Sequence, residues 1–517
     1  MSGRFSESDI WRLQRRYYED KGIEAWNSGE VPYYITSNPR LAHAYAAMIH
    51  GFIRDRERLM PQSDQPVHVI ELGAGSGQLA FHILQRLELL FRHDSKPAPR
   101  YRYIMSDLAE KNIEFWSRHP KLQPYFEQGV LDVCLMDAAR TRELSLLAGG
   151  TTIGLKQLDH PIVVIANYVF DSLPQDLFFF HHGKMYEGEV ELVPPEDQAE
   201  AYSEHGRLEY EYSEIVEKFY GHPGYDELLG TYREQLQSTH LLFPFAALDC
   251  LERLRELTAS GELALLTVDK GDIRLEDLEN RDAPVLVPHG GCFSLSCNFH
   301  ALFAYYERLG AAIRFHEYRL NSLILSAVWA VSEPEAYAEA KLAYELYVEQ
   351  FSPGDFYTLK TNYWRSVSDM DIRELLSWIR LSGYDAAFVW RGSDRLAELL
   401  PDAGEADRAE ACEVLMKVWE AYYSIDEQQD LPFTLGLLLY LIDRNELALT
   451  FFSLSLQADP NAASTCYNIG LCNYALKDYP AALSYFERAL ELHPGHEGAR
   501  RLIQHMALPM GESNIND

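Results

Sequence analysis

The hydrophobic pattern changes twice within residues 67–90, VHVIELGAGSGQLAFHILQRLELL. Val67–Leu72 is a short apolar, β-branched run, as in a parallel strand buried on both faces. Gly73, Gly75 and Gly77 follow on alternate positions, and Leu79, Ile83, Leu84 and Leu87 then share one side of a helix. Strand, glycine turn and helix make the first unit of a nucleotide-binding α/β sheet. The glycines let the backbone bend tightly and approach a ligand where a Cβ would clash. Strand patterns recur at Tyr101–Ser106, Val130–Met136, Pro161–Ala166 and Gly261–Lys270, with helices at Ala246–Thr258 and 299–309. Phe293–Asn298 and the segments RFHEYRL and SLILSAVWAV complete the sheet by about residue 332. Phe178–Val190 alternates like further strands, whereas the acidic, tyrosine-rich stretch that follows predicts a helical insertion over about 191–240.

Residues 1–60 read as an N-terminal helical lid. Thr36, Ser37 and Asn38 are cap-forming residues, and Pro39 suits the first turn of a helix running to about Leu59. At the other end, residues 333–505 carry helical patterns with few strand signals, and 506–517 form a tail. A 34-residue period pairs Gly436 with Gly470, Ala448 with Ala482, Phe452 with Phe486 and Pro460 with Pro494. Residues 429–462 and 463–496 thus look like tetratricopeptide repeats, in which small residues let two antiparallel helices approach and a proline ends the second. Segments 369–400 and 405–427 extend the stack as degenerate helical pairs. Such a solenoid offers a concave groove to a peptide or partner protein. A structural extension or a homodimer contact is the alternative.

At 517 residues the chain exceeds one ordinary core. Apolar and charged fractions of 47% and 24% are those of a globular protein. No apolar stretch reaches the ~20 residues of a membrane span, and the first residues lack a signal-peptide core, so no membrane role and a cytoplasmic location are expected. Seven cysteines without paired spacing predict neither a disulfide framework nor a metal site. Residues 1–150 hold 19 basic and 19 acidic residues, so the net charge of −32 falls wholly on the remainder. That balance disfavours nucleic acid.

The candidate chemistry sits at strand ends. Glu71 precedes the first glycine by two residues, a place where a carboxylate repels a pyrophosphate but suits the ammonium of an amino-acid moiety. A ligand-free glycine turn and a dinucleotide site are the other readings of this spacing. Asp107 ends the second strand, where two carboxylate oxygens can accept both ribose hydroxyls. Asp137 lies just past the third strand. Asn167 and Asp171 emerge from the fourth and are placed to orient a nucleophile, or Asp171 to cap a helix.

The spacing acidic-x-G-x-G-x-G resembles motif I of the class I S-adenosylmethionine-dependent methyltransferases. Within that class the chain resembles the MidA-like branch, relatives of the mitochondrial complex I assembly-factor methyltransferase. The resemblance rests on YITSNPRLAHAYAAMI, ELGAGSGQLAFHIL, ANYVFDSLP, GELALLTVDKGD and SLSCNFHALFAYYERLGA, in colinear order over roughly residues 30–330. It implies a Rossmann-like class I methyltransferase domain over 61–332, followed by an all-α tetratricopeptide domain. It also implies S-adenosylmethionine as cofactor, held by Glu71, Gly73, Ala74, Gly75, Gly77, Asp107 and Asp137, the last receiving the adenine amino group. Asn167 and Asp171 would serve the acceptor side, and the branch's link to arginine methylation makes a protein or peptide acceptor the expected one. The sequence departs from the branch at Tyr168, Lys270 and Asn298. A small-molecule methyltransferase, or a non-catalytic scaffold working through its repeats, are the rival readings.

Overall fold

The computed structural model describes residues 3–29, 34–92, 100–193, 207–318 and 323–507. It divides into two compact units, residues 1–356 and 357–517.

The first unit is built on an eight-stranded sheet. Its principal strands are β1 (Val67–Leu72), β2 (Tyr101–Asp107), β3 (Leu131–Leu135), β4 (Ile162–Asn167), β5 (Leu263–Asp272), β6 (Ala312–Tyr318) and β7 (Leu323–Ala330). Their order across the sheet is β6-β7-β5-β4-β1-β2-β3, with the two-residue strand Cys297–Asn298 beside the end of β5. β1 to β5 pair in parallel, and β7 runs antiparallel to both β5 and β6. The order reverses between β1 and β4. In an open parallel sheet such a switch point leaves a crevice at the carboxyl ends of the strands. β1 is buried along its whole length and β7 likewise, as expected of strands covered on both faces.

Residues 191–240 depart from the helical expectation. Lys184–Val193 and Arg207–Glu214 form an antiparallel pair, joined by Gly3–Arg4, Asp176–His181 and Ser238–Phe243 in a second, five-stranded sheet. Among the described residues of that stretch only Pro223–Gln235 is helical, and 194–206 lie outside them. The reason is visible in RLEYEYSE: Leu208, Tyr210 and Tyr212 alternate with glutamates and pack on an apolar cluster with Phe5, Trp11 and Phe293. Period-two alternation outweighed the acidic composition.

The boundary after the sheet also moves. Residues 334–349 continue the first unit as helical turns against α2 (Pro39–Leu59), with Tyr337 stacked on Phe52 at 4.8 Å and Ala340 N–H donating to Asp55 at 3.0 Å. The buried Asp55 carboxylate and the missing side chain of Gly51, where a Cβ would meet the Ala340 nitrogen at 2.7 Å, fix that approach. The first unit therefore runs to residue 356 rather than 332.

The second unit is helical throughout its described residues. Ile372–Leu381 and Ala386–Leu399 form one antiparallel pair, followed by the long helix Glu405–Ala421. Then come α4 (Leu431–Leu441), α5 (Asn445–Ala458), α6 (Ala463–Ala475), α7 (Tyr479–Leu492) and a final helix Glu497–Ala507. The 34-residue period has a packing cause. A Cβ on Gly436 would stand 2.9 Å from the Phe452 ring, and one on Gly470 2.5 Å from that of Phe486, so each helix pair closes only over a glycine. Ala448 and Ala482 are fully buried at the same crossings. Asp430 and Asp478 cap α4 and α7 by accepting from Phe433 and Ala481 N–H.

Candidate functional site

A cavity of about 770 Å³ opens at the β1/β4 switch point. Among the described residues its lining includes Glu71, Gly73, Ala74, Gly75, Asp107, Asp137 and Asn167, but neither Gly77 nor Asp171. Its roof comes from the N-terminal segment: Trp11, Gln14, Arg15 and Tyr18 on α1 (Asp9–Lys21), then Trp26, Thr36 and Ser37.

The glycine loop has a distinct task at each step. Gly73, Gly75 and Gly77 all hold positive φ, at 58°, 56° and 79°, which a Cβ would disfavour. Gly77 is a left-handed cap on α3 (Gln78–Phe91), donating its N–H to the Ala74 carbonyl at 2.8 Å, so it shapes the turn from outside the cavity lining. At Gly75 a Cβ would meet the Trp26 indole at 2.8 Å. The space above that glycine is thus partly taken by the chain's own ring. Trp116 Nε1 donates to the Gly75 carbonyl at 3.1 Å and holds the loop from behind.

Two carboxylates border the loop. Asp107 accepts from Gly75 N–H and from Ala109 N–H, each at 3.0 Å, one bond to each oxygen. The Asn112 side chain and the Leu108 backbone also bear on this carboxylate, which lines the cavity. Glu71 accepts from the Tyr103 hydroxyl at 2.8 Å. Burial pushes its pKa up to about 8, the Tyr103 bond pulls it down and Asp107 raises it further. Burial likewise raises Asp107. The site favours a cation that would let Glu71 ionise.

Asp137 is bound to the roof. One of its oxygens lies 2.6 Å from Arg15 Nη1 and the other accepts from Ala139 N–H at 2.9 Å. Gln14 adds a reciprocal pair with the Phe293 backbone, at 2.6 and 3.0 Å. Asn167 also serves the roof: its Oδ1 accepts from the Tyr45 hydroxyl and Val268 N–H, and its Nδ2 donates to the Thr36 carbonyl. Three of its four hydrogen-bonding positions are occupied, which suits a structural tie better than a group that handles protons.

Asp171 stands behind Ser172, which lines the cavity and whose hydroxyl donates to Asp171 at 3.0 Å. Beneath it, fully buried Asp269 at the end of β5 accepts from Phe170, Asp171 and Lys270 N–H. Burial lifts both carboxyls above the usual carboxylate range, Asp269 well above it, with repulsion from Asp171 adding to the latter. Lys270 lowers Asp171 in part. Tyr168 lines the cavity with φ at 53°, a left-handed conformation uncommon for a bulky residue and frequent where a site is held under strain. Asn298 caps the helix Phe299–Arg308 through Ala301 N–H at 3.0 Å.

Sequence reasoning missed Arg15, Trp26, Tyr103, Ser172 and Asp269. Ser172 lies inside ANYVFDSLP, and the expected N-terminal lid over residues 1–60 contains Arg15 and Trp26 without singling them out. Among the described residues no group of three or more His, Cys, Asp or Glu could hold a metal ion, and no helix is long and apolar enough to cross a membrane. Among the described residues none of the seven cysteines is joined in a disulfide.

Residues 463–496 match the tetratricopeptide repeat family and form one such repeat. No curated protein matches the chain. Among solved structures, an uncharacterized protein from Burkholderia thailandensis is 14% identical over 65% of this chain and 90% of its own, with a TM-score of 0.39. A second protein of that superfamily and organism, taken to be a methyl transferase and bound to S-adenosyl-homocysteine, is 15% identical over 68% of this chain and 86% of its own, with a TM-score of 0.41.

Proposed function

We propose that the first unit is an S-adenosylmethionine-dependent methyltransferase. The observation that carries this reading is the pair Glu71 and Asp107 flanking the glycine loop inside the switch-point cavity. A dinucleotide would place its pyrophosphate on loop N–H groups, yet the Gly75 N–H is already engaged by Asp107 and two carboxylates border the place. A ligand with a ribose diol and an amino-acid end suits the same groups: Asp107 offers a carboxylate at the strand end to the diol, and Glu71 gains its charge against an ammonium. The cavity volume falls within the range that buries a ligand of this size.

When bound, the cofactor supplies an activated methyl group for in-line displacement from its sulfonium. The chain aligns the nucleophile and holds its proton. In this reading Ser172 is the group nearest an acceptor, and Asp171 behind it takes the proton through the serine hydroxyl. Asn167 is a positioning residue that ties the roof to β4 and β5. Adenine contact by Asp137 is not needed, since Arg15 engages that carboxylate.

The acceptor is proposed to be a protein or peptide, because a tetratricopeptide stack presents a concave surface suited to polypeptide and rarely performs chemistry itself. Incubation of the full chain with methyl-labelled S-adenosylmethionine and its co-purifying proteins tests this. Label in a protein band, seen as 14-dalton additions by mass spectrometry, supports the proposal. Label confined to small molecules overturns the polypeptide acceptor, and cofactor that binds without any transfer overturns the enzyme.

A further inference from the structure

The roof of the cavity carries an aromatic pair that the glycine-loop reading does not use. The Tyr18 and Trp26 rings stack at 6.1 Å between centroids and 28° between planes, and both line the cavity. Their position along the cavity is constrained. Asp107 marks the end of β2, while Tyr168 and Ser172 mark the end of β4, and the glycine loop after β1 lies between them. Trp26 rests against Gly75, in the middle of that path. A cofactor held with its ribose at Asp107 and its transferable group toward β4 would have its sulfur between those ends, beside the ring that rests on Gly75.

We infer that Tyr18 and Trp26 form a sulfonium-sensing wall that makes the site hold the charged donor more tightly than its uncharged thioether product, S-adenosylhomocysteine. The inference rests on the cofactor reading above. The face of an aromatic ring attracts a cation and is indifferent to a neutral sulfur. Tyr18 stays a neutral phenol, because burial and the nearby Cys292 and Asp171 raise its pKa well above the ordinary value. Its hydroxyl is turned to the Cys292 sulfur at 3.7 Å, which fixes the ring. Arg12, Arg15 and Arg140 also line the cavity and act against a cation, but Arg12 pairs with Asp9, Arg15 with Glu19 and Asp137, and Arg140 lies 3.7 Å from Asp137. Glu71 and Asp107 would contact parts that donor and product share, so their effect cancels in the ratio of the two affinities. The wall thereby favours product release after each transfer.

The test is calorimetric titration of the full chain with S-adenosylmethionine, S-adenosylhomocysteine and sinefungin, whose amine places a positive charge near the sulfur position. The expected result is that both cations bind about 2- to 30-fold more tightly than the thioether, the range of one partly desolvated cation–π contact. In Trp26→Leu the ratio should fall toward one, and in Trp26→Phe a part of it should remain. Equal or tighter binding of S-adenosylhomocysteine by the unaltered chain overturns the inference, as does an unchanged ratio in a folded Trp26→Leu. If that variant fails to fold, the three-ligand comparison on the unaltered chain decides alone. Absence of binding by all three ligands instead removes the cofactor reading on which the wall depends.

Discussion

Gly470 and Gly75 each have an aromatic ring where a Cβ would stand, 2.5 Å from Phe486 in one case and 2.8 Å from Trp26 in the other. Gly470 lies inside α6, and its ring partner is fully buried in the neighbouring helix of the same repeat. The pair recurs 34 residues earlier as Gly436 and Phe452. Gly75 sits in a left-handed turn, and its ring partner is half-buried in a segment 49 residues upstream, at the wall of a cavity. One contact is a core joint whose loss should loosen a fold. The other is a joint between a loop and its roof, whose loss should loosen a ligand site.

Removing the core ring should have the largest effect. Phe486→Ala is expected to cost about 3–5 kcal/mol in the helical unit, from lost burial plus an unfilled cavity between α6 and α7. Chemical denaturation followed by circular dichroism measures it, and a shift under about 1 kcal/mol would mean that the glycine–phenylalanine joint is not what closes the repeat.

The next effect depends on pH. Glu71 is raised to about 8 in the folded chain against an ordinary 4.5. Between those values the folded state keeps a proton that the unfolded state has released, so this group makes stability fall as pH rises through that window. Glu71→Gln should flatten the slope, with a gain of up to about 5 kcal/mol at the alkaline end, and should weaken binding of a cationic ligand. Melting temperature against pH for both proteins, without ligand, gives the comparison. Parallel curves would show that Glu71 is not buried as described.

Gly75→Ala should fall lower, at about 1–3 kcal/mol, from the positive φ and from displacement of Trp26. The substitution acts through the roof, so cofactor affinity should fall and Trp26 fluorescence should change together. Loss of one without the other would separate the loop from its roof. Smallest is Arg15→Ala. Its pair with Asp137 is partly exposed and should be worth under about 1 kcal/mol, with the change confined to faster proteolysis of the N-terminal segment.

The contrast between the two glycines also explains what the sequence could reveal. The core joint repeats, so its period is visible as Gly436/Gly470 and Phe452/Phe486, and the match to a tetratricopeptide repeat, residues 463–496, covers the second copy, Gly470 and Phe486. The strands of the principal sheet are equally legible, because burial on both faces demands unbroken apolar runs such as IVVIA at 162–166. Trp26 over Gly75 joins distant segments once, and nothing local records it. The same is true of Arg15 on Asp137 and of Asn167 held by Tyr45, Thr36 and Val268. The placing of Glu71 and Asp107 beside the cavity was legible because strand ends at a switch point border the crevice, a place the strand pattern itself marks. Asp171 was legible as a polar residue leaving an apolar strand, but its seclusion behind Ser172 depends on Asp269, a residue about one hundred positions later.

The central claim is that Glu71, the glycine loop and Asp107 hold S-adenosylmethionine at the β1/β4 switch point. Calorimetry of the full chain with this cofactor, beside Asp107→Asn, tests it most directly. Saturable one-site binding that weakens by about 1–3 kcal/mol in the variant is the predicted result. No saturable heat in the unaltered chain, or the same affinity in both, would contradict it.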